Sequence, residues 1–140
     1  MIEIKSATIL ALVGMTFTVA PLLRAEDRMH PGLWEMTTTL DGKPSGTRAA
    51  CFTPAMVELA NQPAPMLREA TEKAVAKNGL CTLKDFKMDG NTISTTQVCG
   101  SKSTTITSTY SRDAFDTVVK STDHEASLVR MQGKFLGTCK

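Results

Sequence analysis

Very few side chains in this sequence have the type and spacing to do chemistry. One imidazole sits among carboxylates, at Asp123-His124-Glu125. A histidine there can act as a general base once a nucleophile lies within hydrogen-bond reach and a third group orients the ring. The sequence supplies neither a G-x-S-x-G elbow nor an S-x-x-K pair to serve as that nucleophile. His124-Glu125 also begins like the zinc motif H-E-x-x-H, but Leu128 stands where the second histidine is required. A hydrolase using His124 is therefore the enzymatic alternative, and a solvated turn between strands is the simpler reading.

The other histidine, His30, lies beside Met29 and near Met36, and imidazole with thioether suits copper. Against a copper or metal carrier, the methionines are dispersed. Met36 and Met131 fall at apolar strand positions and Met66 begins a helix, where filling a core is their ordinary use. Asp113 and Asp116 are spaced as solvated carboxylates at a turn and strand start, not as a glycosidase pair. Phosphate loops and dinucleotide fingerprints are absent from the sequence, so no cofactor is expected.

Four cysteines, Cys51, Cys81, Cys99 and Cys139, stand 30, 18 and 40 residues apart. No C-x-x-C occurs, which argues against a redox or zinc site and for structural disulfides. In the chain-entropy model, closing a loop of some 30 residues adds roughly 3–4 kcal/mol.

The elements that must position these residues follow from hydrophobic period. Trp34, Met36, Thr38 and Leu40 alternate with Leu33, Glu35, Thr37 and Thr39, giving a strand with one apolar face. Asp41 to Gly46 reads as a turn, with a second strand over Thr47 to Phe52. Thr53-Pro54 opens a short helix that Asn61-Gln62-Pro63 ends. A longer helix starts at Pro65, with Leu67, Ala70, Ala74 and Val75 on one stripe and Glu69 placed to pair with Lys73. Asn78-Gly79 is a C-cap signal.

The remainder reads as strands over Cys81 to Met88, Thr92 to Cys99, Ser103 to Tyr110, Phe115 to Ser121 and Ala126 to Leu136. Asp89-Gly90-Asn91 makes the first link a tight hairpin. The Ser/Thr-rich span from Thr92 to Thr109 suits an exposed strand face. The sum is an α+β domain, a curved antiparallel β-meander of about seven strands with a short helical insertion packed on one face. Cysteines bracketing the helices favour Cys51 with Cys81, and Cys99 with Cys139. The rival is Cys81 with Cys99, opposite each other across the Asp89-Gly90 hairpin. Trp34 is expected in the core, or lining a pocket beneath the sheet with Phe86, Tyr110 or Phe135.

Residues 1–25 read differently from the rest. Lys5 precedes an uncharged run from Ala7 to Leu23, and Arg24-Ala25 closes it. That is the order of a cleavable signal peptide, and the run is short of the about 20 residues a membrane span needs. Cleavage after Ala25 leaves a single domain, 26–140, with no membrane anchor. Its formal charge falls from +2 to +1. So neutral a chain has no overall field to draw in nucleic acid or an anionic membrane.

Three features taken in order carry a resemblance: Gly32-Leu33-Trp34-Glu35, a cysteine before a helical insertion, and a last strand running Gly133-Lys134-Phe135-Leu136-Gly137-Thr138-Cys139-Lys140. With the four-cysteine order, the chain from about His30 to Lys140 resembles domain-of-unknown-function family 3617, small exported bacterial proteins. The resemblance implies a periplasmic or envelope location and no activity. Many members carry a Met- and Pro-rich segment after the first strand; here Asp41 to Gly46 is short and has no Met. The expected function is a non-enzymatic binding module for a small apolar ligand or an envelope protein.

Overall fold

The structure, a computed structural model, describes residues 27–122 and 127–140. Two expectations therefore lie outside the described residues: the signal peptide, and the hydrolase reading on His124. The alternating segment after Pro31 forms β1 (Gly32–Leu40), which returns directly as β2 (Lys43–Phe52). Asp41 and Gly42 have φ of 48° and 78°, the left-handed pair that a two-residue type I′ hairpin demands. The longer turn expected over Asp41 to Gly46 is corrected accordingly. Its Pro44 and Gly46 lie within β2, where the register slips as Thr38 pairs with Gly46 and Thr39 with Pro44. Proline is tolerated there because β2 is an edge strand with no ladder partner on its outer side.

Helix α1 (Pro54–Asn61) starts where Thr53 caps it, the hydroxyl accepting from the Met56 amide at 3.4 Å. Helix α2 (Ala64–Ala76) follows after Pro63. Glu69 and Lys73 pair at 2.6 Å on its exposed side. The chain then runs through β3 (Cys81–Asp89), β4 (Thr92–Cys99), β5 (Lys102–Tyr110), β6 (Ala114–Thr122) and β7 (Ser127–Gly137). All seven strands form one antiparallel sheet in the order β2-β1-β7-β6-β5-β4-β3. This is the expected α+β meander with its helical insertion.

The order of the strands decides the disulfides. β2 and β3 are adjacent in sequence apart from the helices, yet they form opposite edges of the sheet. The helical segment thus crosses the sheet, carrying Cys51 and Cys81 apart. The favoured pairing of Cys51 with Cys81 and Cys99 with Cys139 is corrected: the bonds are Cys51–Cys139 and Cys81–Cys99. Cys81 faces Cys99 in the register of the β3–β4 hairpin. The ends of β2 and β7 meet beside Leu33, which pairs with Cys51 on one side and Gly137 on the other.

Register also sorts the two faces. Trp34 pairs with Ala50 and Phe135, Phe115 with Gly133 and Tyr110, and Ile106 with Val119 and Thr95. These residues share the face under the helices. The other face is polar, with hydroxyl pairs Thr92–Thr109, Ser94–Thr107 and Thr96–Thr105 at 3.1–3.2 Å across β4 and β5. Among the described residues, Trp34 alone has a wholly buried large side chain. Its ring lies 6.2 Å from Phe52, 5.7 Å from Phe115 and 5.5 Å from Phe135. The indole N–H donates to the His30 carbonyl at 3.1 Å, so its one polar atom is satisfied.

Candidate functional site

Between the helices and the sheet lies a crevice that the side chains do not fill. Its inner lobe, about 170 Å³, is walled by Met29, Phe52, Val57, Phe115 and Thr117, with Met56 and Tyr110 at the far side. Met56 and Tyr110 also bound a middle lobe of about 270 Å³ over Ile93 and Ile106. Leu59, Thr71, Thr95 and Ile106 belong to both the middle lobe and an outer lobe of about 310 Å³. The outer lobe continues to Ala74, Asn78 and Gln97.

The walls come from simple local rules. Strand alternation presents Ile93 and Thr95 from β4, Ile106, Ser108 and Tyr110 from β5, and Phe115 and Thr117 from β6. The helices answer with Met56, Leu59 and Leu67. Leu67 is buried on the expected stripe, while Met56 and Leu59 are half exposed along the rim.

Close approach of β7 makes room for one wall. Phe115 lies over Gly133, where a Cβ would come within 2.0 Å of the ring. No Asp, Glu, His, Lys or Arg lines the three lobes. Ser108 and Thr117 hydroxyls bond each other at 2.9 Å on the floor. The walls thus provide apolar surface and a few hydrogen bonds, and no base adjoins a nucleophile in them.

A strap of chain before β1 is tied to the end of α1 beside the inner lobe. Asn61, the last residue of α1, accepts from the Met29 amide at 3.0 Å and donates to its carbonyl at 2.8 Å. Arg28 is buried beneath the end of α1, donating to the carbonyls of Ala60 at 2.9 Å and Gln62 at 3.1 Å. A cation is favourable there, at the negative end of the helix dipole. Its Nε has no hydrogen-bond partner.

His30 Nε2 lies 2.6 Å from Asp113, and the ring packs on Phe135 at 3.9 Å. Its expected companions are placed differently: Met29 lines the inner lobe and Met36 is buried on β1, while Met66, expected to fill the core, is instead exposed on α2. Among the described residues no group of three or more His, Cys, Asp or Glu is placed to hold a metal ion. The shifted carboxyls lie outside the crevice. Asp116 is held below the usual carboxylate range by hydrogen bonds from Arg130, and Glu69 likewise by Lys73.

Of the four aromatic residues expected around a pocket, the structure gathers three. Trp34 and Phe135 are in contact, and Tyr110 joins them through Phe115, 6.4 Å away. Phe86 lies on β3, outside the walls of these lobes. Only Tyr110 actually lines the crevice. Phe52, Phe115, Ile93 and Ile106 were missed, although the apolar alternation of their strands was legible.

The fold and site define a disulfide-bonded α+β domain with an apolar crevice beneath its helices. The chain belongs to a family described as proteins of unknown function, DUF3617, whose model matches residues 29–139. Neither a curated protein nor a solved structure matches it. Among the described residues no helix is long and apolar enough to cross a membrane.

Proposed function

We propose that this protein is an exported, non-enzymatic binding module of the bacterial envelope that holds a small apolar molecule in the crevice. One observation carries the reading. The space between sheet and helices, where a domain of this size would normally pack its core, is an apolar crevice of several hundred Å³. Protein interiors pack like organic crystals, and an apolar groove left open keeps its lining in contact with water, at a cost that burial beneath a ligand removes. A bound apolar molecule would complete that core. The half-exposed Met56 and Leu59 give it an apolar way in. Export is supported by the uncharged run from Ala7 to Leu23 and by four cysteines in two bonds.

The test is mass spectrometry of protein purified from the periplasm of its host, followed by organic extraction and a thermal melt. The expected denatured mass lacks residues 1–25 and four hydrogens. The expected native mass carries an adduct, and extraction removes it and lowers the melting temperature. Ligand at a hundred times its dissociation constant adds about 2.7 kcal/mol, which such a melt resolves. A bare native mass, with a melt indifferent to every apolar compound added, would overturn the binding reading. An unprocessed N-terminus would overturn export.

A further inference from the structure

The guanidinium of Arg28 has only part of its hydrogen bonding made, although the residue is 7% exposed. Nη1 donates to the carbonyls of Ala60 and Gln62. Nη2 donates only to the thioether sulfur of Met88, at 3.0 Å. Among the described residues Nε has no partner, and no carboxylate pairs with the charge. Nη2 and Nε share one edge of the planar fork, the edge with which Arg130 holds Asp116 on this same sheet. At Arg28 that edge meets a weak acceptor and leaves a buried donor unpaired, which is costly.

Met88 is half-buried on β3, an outer strand of the sheet, between the exposed Lys87 and Asp89. A small oxidant reaches such a sulfur, whereas Met29 and Met36 are buried. We propose that Met88 is an oxidation site whose sulfoxide oxygen accepts from Arg28 and tightens the strap against the end of α1. In the reaction a sulfur lone pair attacks one oxygen of a hydroperoxide. The S–O bond forms as the O–O bond breaks, and the second oxygen leaves, protonated, as water or an alcohol. Sulfur gives up two electrons and the peroxide takes them. The new S–O dipole is negative at oxygen, so it makes the charge-assisted bonds to Nη2 and Nε that a thioether cannot. Methionine oxidation ordinarily disrupts packing, and here its sign is reversed. Met29 follows Arg28 and is bound to Asn61 through both its amide and its carbonyl, so the effect extends to a wall of the inner lobe. Nothing in this inference depends on what the crevice holds.

The experiment treats the disulfide-bonded protein and its Met88→Leu variant with hydrogen peroxide. Peptide mapping by mass spectrometry follows each methionine, and thermal melts are recorded before and after. Met56 and Met66, both more than half exposed, oxidise in the two proteins alike, so the difference between the two shifts isolates Met88. The expected map contains Met88 sulfoxide, and the melting temperature of the parent shifts several degrees more favourably than that of Met88→Leu. Hydrogen exchange at the Met29 amide is expected to slow on oxidation in the parent alone.

Two further variants test the partner. Met88→Gln places an amide oxygen where the sulfoxide oxygen would be, and should melt above Met88→Leu with no oxidant present. Arg28→Lys keeps the charge but lacks the Nε–Nη2 edge, and should erase the gain from oxidation. A parent shift no better than that of Met88→Leu would overturn the proposal. So would a Met88 left intact once Met56 and Met66 have fully converted, or a gain that survives in Arg28→Lys. Unchanged exchange at Met29 would sever the link to the strap. Should Arg28→Lys fail to fold, the order of the two Met88 variants still decides, and Met88→Gln melting below Met88→Leu would rule out the hydrogen bond.

Discussion

Asp116 and Arg130 show what a surface pair on this sheet contributes, and when. Arg130 Nε lies 3.0 and 3.1 Å from the two carboxylate oxygens of Asp116, and a terminal guanidinium nitrogen makes a further bond. Those bonds lower the carboxyl's pKa in the folded protein. The sign follows: its stabilisation is fully present above the ordinary carboxylate range and disappears as pH falls through the lowered folded value. The side chains are 34% and 50% exposed, so solvent screening limits the effect to about 1 kcal/mol or less. Asp116→Asn should therefore be slightly less stable than the parent at neutral pH and indistinguishable in strong acid. Urea melts at the two pH values check this, and a difference that persists in acid would assign the loss to packing. At this same scale, the sequence showed both residues but not that they would meet. Asp116 on β6 and Arg130 on β7 are diagonal neighbours only in the register the sheet adopts.

The last strand shows how an element can shape a cavity from beneath. β7 has a glycine at position 133, opposite Phe115 of β6 and Met36 of β1. A Cβ added there would lie 2.0 Å from Cε1 of Phe115 and 2.4 Å from its Cζ. Glycine in a strand interior sacrifices propensity, and close approach is the physical reason to accept it. Gly133→Ala should push Phe115 toward the inner lobe, at a cost of about 1–3 kcal/mol for overpacking. Denaturant melts measure the first effect, and weaker ligand binding, read by calorimetry, reports the second. Unchanged values in both would mean the ring moves aside freely. Strands β3 to β7 were legible from their alternation and turns. The β1–β2 hairpin was misjudged because Pro44 and Gly46 resemble a loop, whereas an edge strand absorbs both through a bulge.

Across the whole molecule, the two disulfides close loops of very different length. Cys51–Cys139 spans 88 residues and Cys81–Cys99 spans 18. The chain-entropy model assigns them about 4.6 and about 3.2 kcal/mol respectively. The first ties the C-terminus to the edge strand β2 beside the start of β1. The second staples one hairpin. Replacing Cys51 and Cys139 together by serine should cost more stability than replacing Cys81 and Cys99, as urea unfolding would measure. The reverse order would show that residual structure or native strain, rather than loop entropy, governs these bonds. Each bond also acts at a different edge of the sheet, so the long one protects the end that the strap and Trp34 occupy.

Local rules sufficed for much of this protein. Period-two alternation, Thr53-Pro54 at a helix start and Gly90 in a tight turn named seven strands and two helices, and their antiparallel succession named the fold class. Cysteine count pointed to disulfides, because the spacing offered no metal or redox motif. What the tertiary structure alone decided is which strands become edges. Sequence neighbours β2 and β3 end up farthest apart, since β1 takes β7 as its second partner and the helices must span the sheet to reach β3. That long-range pairing sets the disulfide connectivity, gathers Phe52 from β2 and Phe115 from β6 around one lobe, and leaves the helices bridging a crevice over Ile93 and Ile106. Alternation states which residues share a face of one strand. Only the order of strands states which of those faces meet.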